Sequence, residues 1–181
     1  MLQQVNDIRY KIYDYHLKKK LASAADTRQS KPMNFQLAET VGILFDATQP
    51  ASRVFINEYR ELLINKDKQV SILGYFDDRQ DHENVIFKYF NNKDLNWYWH
   101  PKSNTAKEFA ARKFDILIGL HLHRCPPLEY VAALSQAHIR VGRYHPKREH
   151  CYDLMIDVAD DYNLKGFSEQ IESLLKRVNE S

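Results

Sequence analysis

The chain has 181 residues, 44% of them hydrophobic and 28% charged, a balance that suits one ordinary domain with a real core and excludes disordered and fibrous classes. Its net charge of +2 is too small to identify a nucleic-acid binder by itself. No apolar run approaches the ~18 residues of a membrane span, the N-terminus has no secretory pattern, and the two cysteines, Cys125 and Cys151, make no disulfide framework, so a cytoplasmic protein with free thiols is expected.

From residue 1 to about 22 the chain reads as a helix. Leu2, Val5, Ile8, Ile12 and Tyr15 recur at spacings of three and four, giving one apolar stripe. Arg9, Lys11, Lys18, Lys19 and Lys20 lie off that stripe. Residues 1–31 hold seven Lys/Arg against three Asp/Glu, and the remainder holds nineteen against twenty-one. This asymmetry suits docking on RNA, a ribosome, an anionic surface or a protein partner, and equally a helix packed by its stripe with a solvated basic side.

Ser23 to Asn34 is polar, with Pro32 near its end, and reads as a linker. Thr40–Asp46 is the first core strand. Pro50 opens a helix with Phe55, Tyr59, Leu62 and Leu63 inward, ending at Asn65–Asp67. Val70–Phe76 is the second strand. Val85–Trp99 is aromatic and irregular, with room for one short strand and a turn at Asn91-Asn92. Asn104–Phe114 reads as a helix with Ala106, Phe109, Ala110 and Phe114 inward.

Asp115–Leu120 is a short apolar run of the kind buried on both faces of a parallel sheet. Pro126-Pro127 then starts a helix, and Ile139–Gly142 begins the next strand, completing one βαβ unit. A polar loop, His145–His150, leads to a last strand at Leu154–Val158 and a closing helix with Phe167, Ile171, Leu174, Leu175 and Val178 inward. Strands alternating with helices predict an α/β fold: an open, mostly parallel sheet of about five strands with helices on both faces, flavodoxin-like or Rossmann-like. Residues 1–34 form the basic amphipathic helix and linker, and residues 35–181 the α/β domain.

Open parallel sheets bind ligands beyond the carboxyl ends of their strands. Those ends here carry Asp46, Thr48, Asp77, His121, His123, Arg124, Arg143 and His145, a rim suited to a phosphorylated or carboxylated small molecule. Asp46 is the one candidate for a catalytic base, and no partner for it is identifiable. His121, His123 and Cys125 alternate along an extended segment and are zinc-type ligands, with His150-Cys151 as a possible fourth, but no recognised spacing supports a metal site. No GxGxxG, GxxxxGK[ST] or GxSxG occurs, so no cofactor is expected, and Gly42, Gly74, Gly119 and Gly142 sit inside strands where they permit close approach. From Phe87-Lys88-Tyr89 to Trp97-Tyr98-Trp99-His100, rings interleave with lysines. That pattern suits either packing over a sheet edge or stacking of single-stranded RNA.

TVGILFDAT, ILGYFDD, NKDLNWYW, FDILIGL, PLEYVAALSQAHIRVG and CYDLMIDV, in this order after a basic N-terminal helix, resemble a family of small bacterial proteins of unknown function. The resemblance spans nearly the whole chain and implies the same α/β domain, with no activity or catalytic residues to carry over. FDILIGLHLH followed by AALSQAHIRVGRYH is similar, over about 35 residues, to the N-terminal domain of heptosyltransferase-type glycosyltransferases. Asp46 falls where that family keeps its base, but the surrounding motif differs, and the chain has no room for the nucleotide-sugar domain.

The leading expectation is therefore a non-enzymatic α/β binding module that docks on RNA or a ribonucleoprotein through its basic helix. The alternatives are a small enzyme or sensor for a phosphorylated or sugar-like ligand at the strand ends, and a structural or oligomerisation protein.

Overall fold

The computed structural model describes residues 2–23, 28, 34–159 and 161–177. The elements are α1 (Leu2–Ser23), β1 (Thr40–Asp46), α2 (Pro50–Ile64), β2 (Gln69–Phe76), β3 (Lys88–Asn91), α3 (Asn104–Ala111), β4 (Ile116–Leu120), α4 (Pro126–Leu134), β5 (Ile139–Arg143), β6 (Leu154–Ile156) and α5 (Leu164–Arg177). Most of the expected linker lies outside the described residues. All six strands pair in parallel, in the order β3-β2-β1-β4-β5-β6. This is the doubly wound order with its reversal between β1 and β4, rather than the flavodoxin-like order. The sheet has one strand more than the five counted from sequence. β3 is only four residues long and lies at the edge, so its apolar signal is short.

The central strands have no exposed face. Val41, Ile43 and Phe45 of β1 join Ile116, Ile118 and Leu120 of β4 in one core, covered by Ile56, Tyr59 and Leu63 of α2 and by Phe167, Ile171 and Leu175 of α5. Leu44, Leu73 and Leu117 point the other way, into a second core covered by α3 and α4. Alternate residues of each strand thus reach opposite layers, which is why the strands read as continuous apolar runs. Leu62, expected inward on α2, is exposed instead, and Ile56 takes the buried position.

Two glycines make room for one ring. Gly119 and Gly142 are paired neighbours on β4 and β5. A Cβ on Gly142 would lie 2.6 Å from the ring of Tyr152, and one on Gly119 would meet the same side chain. The seated Tyr152 hydroxyl lies 2.9 Å from His121 Nε2.

The N-terminal helix does not pack by the stripe read from its sequence. Tyr13 and Leu17 are buried, whereas Val5 and Ile8 are each 57% exposed and Tyr15 62%. The inner face instead uses long side chains with polar tips. Tyr13 donates its hydroxyl to the Pro126 carbonyl at 3.0 Å, Arg124 lies 4.2 Å over the ring of Tyr10 and 3.3 Å from Asp14, and Arg9 lies 3.7 Å over the ring of Trp99. Each such cation–ring contact is worth about 0.5–2 kcal/mol, more where water is excluded. The inner face mixes Leu17 and tyrosines with an arginine stem, a weaker hydropathy signal than the Val and Ile spacing of the outer face. Among the described residues no helix is long and apolar enough to cross a membrane.

Candidate nucleic-acid interface

The strand-end rim is largely engaged in holding the fold. Asp46 accepts from the Thr48 backbone at 2.9 Å. Thr48 Oγ1 accepts from the Asp77 backbone at 3.0 Å, and Asp77 accepts from Asn92 at 2.9 Å. The turn after β1, where doubly wound folds hold a phosphate, is crossed by the Arg53 guanidinium, which donates to the Ala47 and Thr48 carbonyls at 2.6 and 3.1 Å. Arg143 donates to the carbonyls of Leu122 and Val158. His145 accepts from the Lys147 backbone at 3.1 Å. Arg124 is held between Asp14 and Glu129. Glu129 in turn pairs with the buried Arg148 at 2.8 Å, and Arg148 donates to the His123 carbonyl.

At the β1/β4 reversal a crevice of about 160 Å³ remains, with Asp46, Gln49, Ser52, His121 and His123 around it. That is below the ~300–1,000 Å³ of ordinary ligand pockets. His121 bonds the His123 carbonyl through Nδ1 and Tyr152 through Nε2. Burial, helped by the charge of Arg148, lowers its pKa to about 3. The Cys125 thiol is buried and its pKa is pushed up by desolvation. Among the described residues no three His, Cys, Asp or Glu side chains converge as a metal-binding group.

The larger cavity lies on the other side of the molecule, and its walls come from sequence-distant segments. It begins with the loop after β3. Asn91 caps the short 3-10 turn Asn92–Asp94, its side chain accepting from the Lys93 backbone and Asp94 accepting from its own. Asn96 Oδ1 then accepts from the backbones of Tyr98 and His100 at 3.2 and 2.9 Å. The tight bend leaves Trp99 at φ 63°, a left-handed conformation costing a large side chain on the order of 1–2 kcal/mol. Around this bend four consecutive ring-bearing residues point in different directions. Trp97 is exposed, Trp99 meets Arg9 and Tyr10, and Tyr98 and His100 face the C-terminal half of α1.

There the His16 ring stacks on Tyr98 with centroids 4.5 Å apart and planes 12° apart. His100 stands edge-on to Tyr98 at 4.8 Å and packs on Tyr130 of α4 at 4.1 Å. Around these rings opens a cleft of about 440 Å³, lined also by Lys19 and Lys20 of α1, Lys102, and Lys107 of α3. All four lysines are exposed, and none forms an ion pair with a described residue. Among the described residues no carboxylate lines the cleft. His100 is only 7% exposed, its Nε2 is buried without a described hydrogen-bond partner, and desolvation lowers its pKa to about 4, so it is neutral near pH 7. The arrangement can do two things chemically: attract a polyanion, and offer ring faces and edges to flat groups attached to it.

The basic residues picked out on α1 therefore divide. Lys19 and Lys20 line the cleft, Arg9 is occupied by Trp99, and Lys11 and Lys18 are exposed but outside the cleft lining. Lys102, Lys107 and Tyr130 were not singled out from sequence. Each is an isolated basic or aromatic residue there, and the only local signal was Lys102 following the aromatic run.

A family model matches residues 9–178. The chain belongs to DUF6913, a family of unknown function. The match covers α1 from Arg9 onward together with the sheet, so it includes every cleft-lining residue. No curated protein and no solved structure matches the chain.

Proposed function

We propose that this DUF6913 protein binds single-stranded RNA, free or within a ribonucleoprotein, in the cleft between α1, the Tyr98–Lys102 loop, α3 and α4. The observation that carries the reading is the convergence of four lysines, none ion-paired with a described residue, on a wall of half-buried rings. Lysines neutralise phosphates without reading sequence, and rings stack on any base. A concave site with its rings set into the wall favours a flexible strand whose bases can splay outward over a rigid duplex. Titrating a labelled oligouridylate at several salt concentrations tests this. Binding should weaken steeply with salt and depend on Lys20 and Lys107; no binding at low salt would sink the proposal. A cytoplasmic location accords with it.

A second reading, a protein partner, is supported by the outer face of α1, where Val5, Ile8 and Tyr15 stay exposed on a helix already anchored by its other side. Light scattering on the full chain and on an Ile8→Glu variant would test the self-association form. A dimer lost in the variant supports it, and a monomer throughout opposes it. The small enzyme or sensor at the strand ends has less support, because its polar groups are largely committed to backbone and neighbours.

A further inference from the structure

The basic cleft has a neighbour that shares part of its lining. A second cavity of about 150 Å³ lies between α3 and α4 and shares Lys20, Pro101, Lys107 and Tyr130 with it. Its other walls are apolar: Ala106 and Ala110 from α3, Val131 and Leu134 from α4. The slot exists because α3 presents two alanines, four residues apart on one helical face, opposite larger side chains of α4. It is far smaller than a pocket for a drug-sized molecule, and it opens beside two ammonium groups. A nucleotide sets a compact, flat ring, whose faces stack on apolar and aromatic walls, one sugar away from a strong anion.

We propose that the α3/α4 slot takes one unstacked nucleobase of the bound strand, with the flanking phosphates on Lys20 and Lys107 at its mouth and the Tyr130 ring as the stacking wall. This rests on the reading of the cleft as an RNA site and adds to it a defined base position. Phosphate binding and base insertion are then separate contributions from separate side chains. The lysines act on any polyanion, while the slot acts only on a strand that carries a base at one position. Stacking of a single base typically changes affinity by about 5- to 150-fold, so the two contributions are separable by measurement.

The test compares a short oligouridylate with the same strand carrying abasic sites throughout, using the full-length wild-type chain and an Ala110→Leu variant whose longer side chain fills the slot. Wild type should prefer the base-bearing strand by about 5- to 150-fold. Ala110→Leu should lose most of that preference while holding the abasic strand as tightly as wild type does. Unchanged abasic binding also certifies that the variant is folded. Should Ala110→Leu fold poorly, Leu134→Phe, which fills the slot from α4 at a residue outside the cleft lining, serves the same comparison. Equal binding of both strands by wild type overturns the slot and leaves the lysine cleft standing. A preference that survives in both variants places the base elsewhere and also overturns it. If neither strand binds wild type, the cleft reading fails, and the slot with it.

Discussion

Replacing Lys20 and Lys107 together by glutamine tests the electrostatic core of the proposal most directly. Both side chains are exposed and neither forms an ion pair with a described residue, so the change removes charge with little effect on packing. On a single strand each neutralised phosphate contributes roughly −0.7 to the slope of log K against log salt. Four lysines engaging four phosphates give a slope of about −2.8, and the double variant about −1.4. Between about 50 and about 200 mM salt, wild type should then lose roughly 50-fold in affinity and the variant roughly 7-fold. Fluorescence anisotropy of a labelled oligouridylate over that range measures both slopes in one experiment. A Lys11→Gln, Lys18→Gln pair serves as the control, since these lysines belong to the same helix but do not line the cleft. If the control pair lowers the slope as much as the cleft pair, the cleft is not where the strand lies. If neither lowers it, phosphate neutralisation by α1 and α3 is refuted.

Three further outcomes concern the scaffold. Gly142→Ala places a methyl group 2.6 Å from the Tyr152 ring and should cost about 1–3 kcal/mol in urea unfolding, with part recovered when Tyr152→Ala is added; simple additivity of the two changes would contradict the notch. Glu129→Ala leaves the buried Arg148 without its carboxylate and should cost about 3–5 kcal/mol, read as a large fall in the melting midpoint; a loss under ~1 kcal/mol would show that the pair is not desolvated as described. Stability should also fall with acid. His100 and His121 stay neutral in the fold down to about 4 and about 3, whereas in the unfolded chain they protonate near the ordinary ~6.5. Below that value the unfolded state takes up protons that the folded state refuses. The stability set by His121 therefore declines as pH drops from about 6.5, by at most about 1.4 kcal/mol per pH unit, and His100 acts in the same direction. Urea midpoints at about pH 7.5 and about pH 5 check this against a His121→Gln variant, whose midpoint should move less; equal movement would assign the acid sensitivity to other groups.

Much of the fold is legible in the chain because its causes are local. Val41–Phe45, Ile72–Phe76 and Ile116–Leu120 are continuous apolar runs because helices cover them on both faces. Proline at the start of α2 and α4 marks where each helix begins. The strands that periodicity renders least well, β3 and β6, are the two at the sheet edges, where short pairing and partial burial leave little pattern. The α1 face was misread for a different reason. Its anchors are Leu17, the rings of Tyr10 and Tyr13, and the stems of Arg9 and of Arg124 packed against it, and buried stems and rings of polar residues weigh little on a hydropathy scale.

The order of residues alone carries the alternation of strands and helices, the parallel sheet, the lack of a phosphate-binding glycine motif, and two suspect surfaces: a basic helix and an aromatic run. Only the tertiary structure decided that these surfaces are one. Burial and hydrogen bonding are settled between residues far apart in the chain. The rim charges at the strand ends found partners there, Arg53 crossed the turn where a phosphate would sit, and Lys19 and Lys20 came to face Tyr98, His100 and Lys107 across a cleft that no carboxylate of the described residues lines. Periodicity reports which side chains leave water, but whether a charged group is spent on the fold or left available to a ligand depends on neighbours brought together by folding alone.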